Sequence, residues 1–376
     1  MDNQFEDTRP YTDSEIPAAM ARVYSHKFFP NIIKYLFPDR NVNDFKTIFD
    51  RISSAHDVQK YIMYPFLQKV ISMTMSDFKS DGIENVSDEK KSMFICNHRD
   101  ILLDAALLDV VMFESELDTP EITFGSNLMQ DPFVVDIGKS NKMFKIVRGG
   151  TARELYQNSK TVSSYMRYAI TQKSQSVWIA QRNGRTKDGD DKTEAAVLKM
   201  FAMSSEEPFV ENLNALNITP VVISYEYEPC DFLKTQELYF SKFGKYVKAP
   251  GEDVKSVVTG IIQKKGEVTL VITPNITITE LELCSKLDKH ERFEKLAQII
   301  DDRIYSHYKL YKTNYIAYDI LYQTNRFSDC YTETEKEEFV EYMNEGLKQL
   351  EGDYWDLKEI FLGIYANSVN NVLKLN

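Results

Sequence analysis

A chain of 376 residues that is 43% hydrophobic and 12% aromatic can bury a large core, which excludes a disordered chain. Its 45 basic and 57 acidic residues sum to −12, which argues against sequence-independent binding to nucleic acid. An anionic ligand must therefore be met by a local basic cluster.

The four cysteines, Cys96, Cys230, Cys284 and Cys330, are widely spaced with no CxxC pair. This argues against a zinc site or a disulfide framework and fits a reducing compartment. The amino-terminal stretch MDNQFEDTRPYTDSE is acidic and polar, unlike a secretory signal. No apolar run reaches the roughly 18 residues that a spanning helix needs. A cytoplasmic protein that does not cross a membrane is expected.

Residues 16–75 read as helices, with Pro30 dividing IPAAMARVYSHKFFPNIIKYLFP and a second run, KYIMYPFLQKVISMTM, following. Their mixture of aromatic and basic residues suits either packing on the chain's own domain or a membrane interface. From residue 92 the pattern alternates. SMFIC (92–96), EITFG (121–125), MFKIVR (143–148), SVWIA (176–180) and ITPVVISYEY (218–227) read as strands. The segments at 101–113, 151–170 and 191–203 read as helices. This alternation predicts βαβ units, an α/β fold with a mainly parallel sheet, and a site at the carboxyl ends of the strands. A mixed connector after residue 230 leads to a further strand at 267–274, and the chain is helical from about 285, with Thr332 and Glu335 forming a capping box. The expected divisions are a helical segment over 1–85, an α/β domain over 86–284 and a helical extension over 285–376.

The stretch ICNHRDILLDAALL (95–108) carries the chemistry. Its His-Arg-Asp triplet resembles a kinase catalytic loop, but Ala105 stands where the magnesium-binding asparagine belongs, and no glycine-rich loop or companion lysine precedes it. A metal site on Cys96 and His98 lacks a second ligand pair. His98 could be a core histidine and Asp100 a helix cap. Asp104 shifts that balance, because a carboxylate inside ILLDAALL is costly to bury without a partner. His98 is the natural partner, making a base whose charge the carboxylate supports. The acidic run DGDD (188–191) lacks the offsets of a calcium loop and is expected to cap the helix starting near 191. Lys139, Lys142, Lys145, Arg148 and Arg153 form one basic group; Arg182, Arg185 and Lys187 form a second.

NHRDILLDAALL resembles the first motif of the glycerolipid acyltransferase family, a histidine followed after four residues by an aspartate. Three further blocks follow in the family's order: MFKIVRGG with Arg148 in the arginine position, WIAQRNGRTKDG in place of the phosphate-binding F-P-E-G-T-R-S segment, and ITPVVIS with Pro220. The chain departs from the pattern at two places. Five residues, not four, separate His98 from Asp104, so Asp104 or Asp100 partners the histidine; Asp104 is preferred, since Asp100 already has a capping role. Asn183 stands at the family's glutamate position.

The resemblance implies an acyltransferase moving a fatty acyl group from acyl-CoA or acyl carrier protein to a lysophospholipid-like acceptor, with 1-acylglycerol 3-phosphate the first candidate. His98 acts as base, Asp104 or Asp100 as its partner, and Arg148, Arg182 and Arg185 hold phosphate. The Asn183-Gly184 turn supplies oxyanion donors. No metal or resident cofactor is expected. The enzyme is expected at the inner face of the cell membrane. An amino-acid-based lyso-lipid acceptor, or a catalytically degenerate lipid-binding protein, is the alternative.

Overall fold

The computed structural model describes residues 2–375. Seven strands form one sheet: β1 (Met75–Asp81), β2 (Met93–Cys96), β3 (Glu121–Gly125), β4 (Met143–Ile146), β5 (Val177–Ala180), β6 (Ile218–Tyr225) and β7 (Gly266–Ile272). Their order is β1-β7-β6-β2-β5-β3-β4. All pairs are parallel except β6 with β7. Strands β2 to β6 therefore point one way, and β1 with β7 points the other.

The central strands MFIC and VWIA are buried along their whole length, as expected of parallel strands covered on both faces. Period-two alternation sends Met93 and Ile95 to one apolar cluster, with the Ala152–Thr171 and Glu291–His307 helices. Phe94 and Cys96 go to the opposite cluster, with the Tyr64–Thr74 and Leu103–Glu114 helices. The result is helix, sheet, helix.

Strand β1 is a correction to the helical reading of 16–75, which it enters at Met75, and MSDFKSD gave no strand signal. It sits at the sheet edge with five of its seven residues exposed, and charged edge residues discourage pairing with another chain.

The Ile16–Ser25 helix turns Ile16, Ala19, Met20 and Val23 into a third cluster that includes Phe133. A fourth joins Ile316, Phe339, Met343, Phe361 and Tyr365 of the carboxyl-terminal helices to Tyr227. Thr332 and Glu335 form the expected capping box. Among the described residues no helix is long and apolar enough to cross a membrane.

Candidate active site

The site begins where β2 ends. The Asn97 side-chain amide donates to Ile223 O at 2.9 Å and its Oδ1 accepts from Ile223 N at 2.8 Å, so an amide side chain continues the β2–β6 ladder by one step. The chain then turns before the Leu103–Glu114 helix. Asp100 Oδ1 accepts from the Leu102 and Leu103 amides at 2.9 and 2.8 Å, satisfying donors that a helix start leaves open.

In the first turn of that helix, Asp104 is fully buried. Its Oδ2 lies 2.8 Å from His98 Nδ1 and accepts from the Arg99 and Asp100 amides at 2.6 and 2.9 Å. Its Oδ1 accepts from Tyr225 Oη at 2.8 Å. Four donors fill the carboxylate, which offsets the cost of burying it. Asp104, not Asp100, faces His98. The turn accommodates the extra residue: Asp100 holds the Leu102 and Leu103 amides ahead of the helix, and Asp104, in the helix's first turn, points back over the loop to the histidine.

His98 is nearly buried and its ring meets Trp178 edge-on at 5.5 Å. With Nδ1 taken by Asp104, Nε2 makes no hydrogen bond among the described residues. An imidazole held through Nδ1–H presents Nε2 as the basic atom.

Beneath the turn lies a charge network that the sequence did not reveal. Arg99, 1% exposed, donates to both oxygens of Asp191 at 3.0 and 2.6 Å and to Glu228 at 3.0 Å. It also reaches Gly189 O and Ser368 Oγ. Lys234 Nζ bonds Glu228 at 2.6 Å and Arg99 O at 2.7 Å. Two cations thus meet two carboxylates, so the buried set is neutral. Gly189 has φ +79°, and a Cβ there would sit 2.0 Å from Ile364 O, so only glycine lets this loop touch the last helix. The expectation that DGDD caps a helix starting near 191 is corrected here: that helix is Ala195–Ala202 with Glu194 at its cap, and Asp191 faces Arg99 instead.

The two basic groups separate. Lys142 pairs with Asp118; Lys145 pairs with Asp7 and Lys139 lies over the Tyr11 ring, so these two lysines hold the amino-terminal segment. Lys187 pairs with Glu237. The arginines are less committed. Arg148 is exposed just past β4. In the loop after β5, Arg182 Nε and Arg185 Nη1 are buried without a partner, as are Gln181 Nε2 and Thr186 Oγ1. Asp100 Oδ2, across from them, is a fifth such atom, and burial with the nearby Asp104 pushes the Asp100 carboxyl up. Unsatisfied buried polar atoms are few in folded proteins, so their concentration around one loop marks a place built to meet a polar ligand. The Thr186 amide donates to His98 O at 2.7 Å, fastening that loop to the histidine. Asn183 N donates to Glu194 Oε2 at 3.2 Å and is therefore engaged; Gly184, φ +86°, has open space where a side chain would lie.

Lys265 belongs to the same neighbourhood. Its buried ammonium donates to Gln263 O at 2.7 Å and Thr74 Oγ1 at 3.2 Å, and burial lowers its pKa to about 8, against the pull of Asp100 and Cys230. Among the described residues, no group of three or more His, Cys, Asp or Glu could hold a metal ion.

Residues 77–224, from β1 to β6, match the family model Acyltransferase. Over this segment the chain is similar to the acyltransferase family. The matched stretch holds His98, Asp104, Arg148, Arg182 and Arg185, while Glu228, Lys234, Lys265 and Ser368 lie outside it. Among solved structures, the chain is similar to the 1-acyl-sn-glycerophosphate (LPA) acyltransferase PlsC of Thermotoga maritima, at 12% identity and a TM-score of 0.38, over 78% of this chain and 91% of that one. No curated protein sequence matches it.

Proposed function

We propose that this acyltransferase moves a fatty acyl group from a thioester, acyl-CoA or acyl carrier protein, to the hydroxyl of a lysophospholipid-like acceptor, with 1-acylglycerol 3-phosphate the first candidate. The observation that carries this reading is the 2.8 Å contact between His98 Nδ1 and Asp104 Oδ2, which leaves Nε2 unused.

In this reading Nε2 takes the acceptor hydroxyl proton as the oxygen attacks the thioester carbonyl. Asp104 fixes the ring and offsets the imidazolium charge. When the tetrahedral intermediate collapses, the carbon–sulfur bond breaks and the imidazolium returns the proton to the departing thiolate. The Gly184 and Arg185 amides are candidate oxyanion donors, because the Asn183 amide is already occupied by Glu194. The uncommitted guanidinium nitrogens of Arg182 and Arg185 support an anionic headgroup, since guanidinium matches phosphate geometry. Arg148 joins them at the rim. The product of such a step is a membrane lipid, which supports a place at the inner face of the cell membrane.

A second acceptor class is favoured by one observation. Asp253 is held ionised against burial by Lys248, Asn127 and Arg185, and Arg148 feels the same carboxylate. A negative group beside two arginines suits an acceptor carrying an ammonium and a carboxylate, as an amino-acid-based lyso-lipid does. Parallel assays of lysophosphatidate and a lyso-amino-acid lipid with radiolabelled acyl-CoA separate the two. Product from neither acceptor, or full activity in His98→Ala, would refute the proposal.

A further inference from the structure

The Glu252–Ile262 helix lies across the carboxyl ends of the strands. At its start Asp253 accepts a 2.8 Å hydrogen bond from Asn127, two residues past β3. In its middle Ser256 O accepts from Cys230 Sγ at 3.2 Å, beyond the end of β6. Near its end Gly260 presses on the turn after β2, where an added Cβ would sit 2.1 Å from Asp100 Oδ2. Eleven residues of helix span about 16 Å, or three to four strand spacings. The helix is thus a bar over the mouth of the site.

Its inner face is polar or small where it meets the site, at Ser256 and Gly260. Its outer face is the reverse. Val254, Val258 and Ile262, four residues apart and so on one stripe, are 63%, 48% and 48% exposed. The segment leading into the helix exposes Phe243 and Val247 further, at 72% and 80%. Across the Asn127–Asp253 bond, Val147, Leu155 and Tyr156 are also exposed on the rim beside Arg148. Exposed apolar residues gathered on one face in this way mark an interaction site.

Charge selects the occupant. Residues 240–262 hold four lysines against Glu252 and Asp253, a local +2 in a chain of −12. Lys242 pairs with Asp356 and Lys248 with Asp253, but Lys245 and Lys255 make no ion pair among the described residues. Exposed apolar residues interleaved with lysines match an anionic lipid surface, where the rings and methyls enter the headgroup region and the ammonium groups meet phosphate.

We propose that the outer face of the Glu252–Ile262 helix, with Phe243 and Val247, is the surface by which this protein docks on an anionic membrane, bringing the mouth over His98 against the lipid. The proposal deepens the lipid-acceptor reading above and rests on it for its purpose, although not for its test. The Ile16–Ser25 helix turns its apolar residues Ile16, Ala19, Met20 and Val23 inward and offers no such stripe.

The test is sedimentation of the full chain with vesicles of equal parts phosphatidylglycerol and phosphatidylcholine, without substrate. The triple variant Val254→Ser, Val258→Ser, Ile262→Ser is expected to lower the partition coefficient about tenfold or more. Lys245→Glu with Lys255→Glu is expected to lower it by a similar factor on these vesicles, and less than twofold on phosphatidylcholine alone. Circular dichroism confirms that both variants fold. Transfer to a short-chain, water-soluble acceptor is expected within about twofold of wild type for both. Unchanged partition of the triple variant overturns the proposal. So does a triple variant that binds vesicles normally but loses transfer only with acyl carrier protein as donor, because the face would then dock a protein. If wild type turns over no lipid acceptor while the triple variant still loses vesicle binding, the acyl-transfer reading fails and the docking surface stands.

Discussion

His98 Nδ1 and Asp104 Oδ2 are 2.8 Å apart, and the same carboxylate oxygen also holds the Arg99 and Asp100 amides. Asp104 therefore aims the base and shapes the turn that carries it. His98→Ala is expected to lower kcat about 10²- to 10⁴-fold with little change in melting temperature. Asp104→Asn is expected to lose activity on the same scale and to melt earlier as well, since an amide cannot accept from all four donors. Steady-state kinetics with thermal melts checks both; equal stability of the two variants would contradict the dual role.

Arg185 carries an unpartnered buried guanidinium nitrogen and lies within electrostatic reach of Asp100 and Asp253. Arg185→Ala is expected to raise KM for an anionic acceptor about 10- to 100-fold while leaving KM for the thioester within about threefold. Arg185→Lys should recover part of the loss, because a point charge replaces a fork. An unchanged acceptor KM removes Arg185 from the binding site.

Arg99 spans Asp191 and Glu228 in a buried neutral set with Lys234. Arg99→Met strands at least one buried carboxylate and is expected to cost about 3–5 kcal/mol in urea unfolding. Adding Asp191→Asn should restore a good part of that, and simple additivity of the two changes would count against coupling.

Gly260 leaves no room for a side chain against Asp100, whose other oxygen is already tied to two amides. Gly260→Ala is expected to destabilise by about 1–3 kcal/mol through overpacking. In the Asp100→Ala background the same change should cost little, as a double-mutant cycle would show.

Lys265 is held at about 8, below its ordinary value near 10.5, by burial. Between those values the unfolded chain binds more protons than the folded one, so stability rises with pH over that window and its cost is full below about 8. Wild type is expected to gain about 1–2 kcal/mol from this residue between roughly pH 7.5 and 9.5. Lys265→Met should lack that increment in denaturant unfolding at the two pH values.

Much of the sheet could be read from the chain, because MFIC and VWIA are apolar throughout and only a covered strand can use such runs. The His98–Asp104 pair was legible for a related reason: a carboxylate inside ILLDAALL had to find a neighbour. MSDFKSD was not legible, since an edge strand is polar by need, and its place beside β7 depends on residues about 190 positions away. Asp191 was misread because its partner Arg99 lies 92 residues off, and nothing local distinguishes a buried ion-pair carboxylate from a helix cap. The Glu252–Ile262 helix passed as a connector, because apolar residues that face outward blur the amphipathic pattern.

The hydrogen bond from Arg99 to Ser368 joins positions 269 residues apart. A nascent chain that has completed residues 77–224 owns every side chain of the proposed chemistry, yet the guanidinium under its catalytic turn still lacks Glu228, Lys234 and the last helix. Closing so long a loop is slow and comes late in folding. Competence is thus postponed until Ser368 has been added, and a translation product interrupted before it carries its histidine on an unbraced turn.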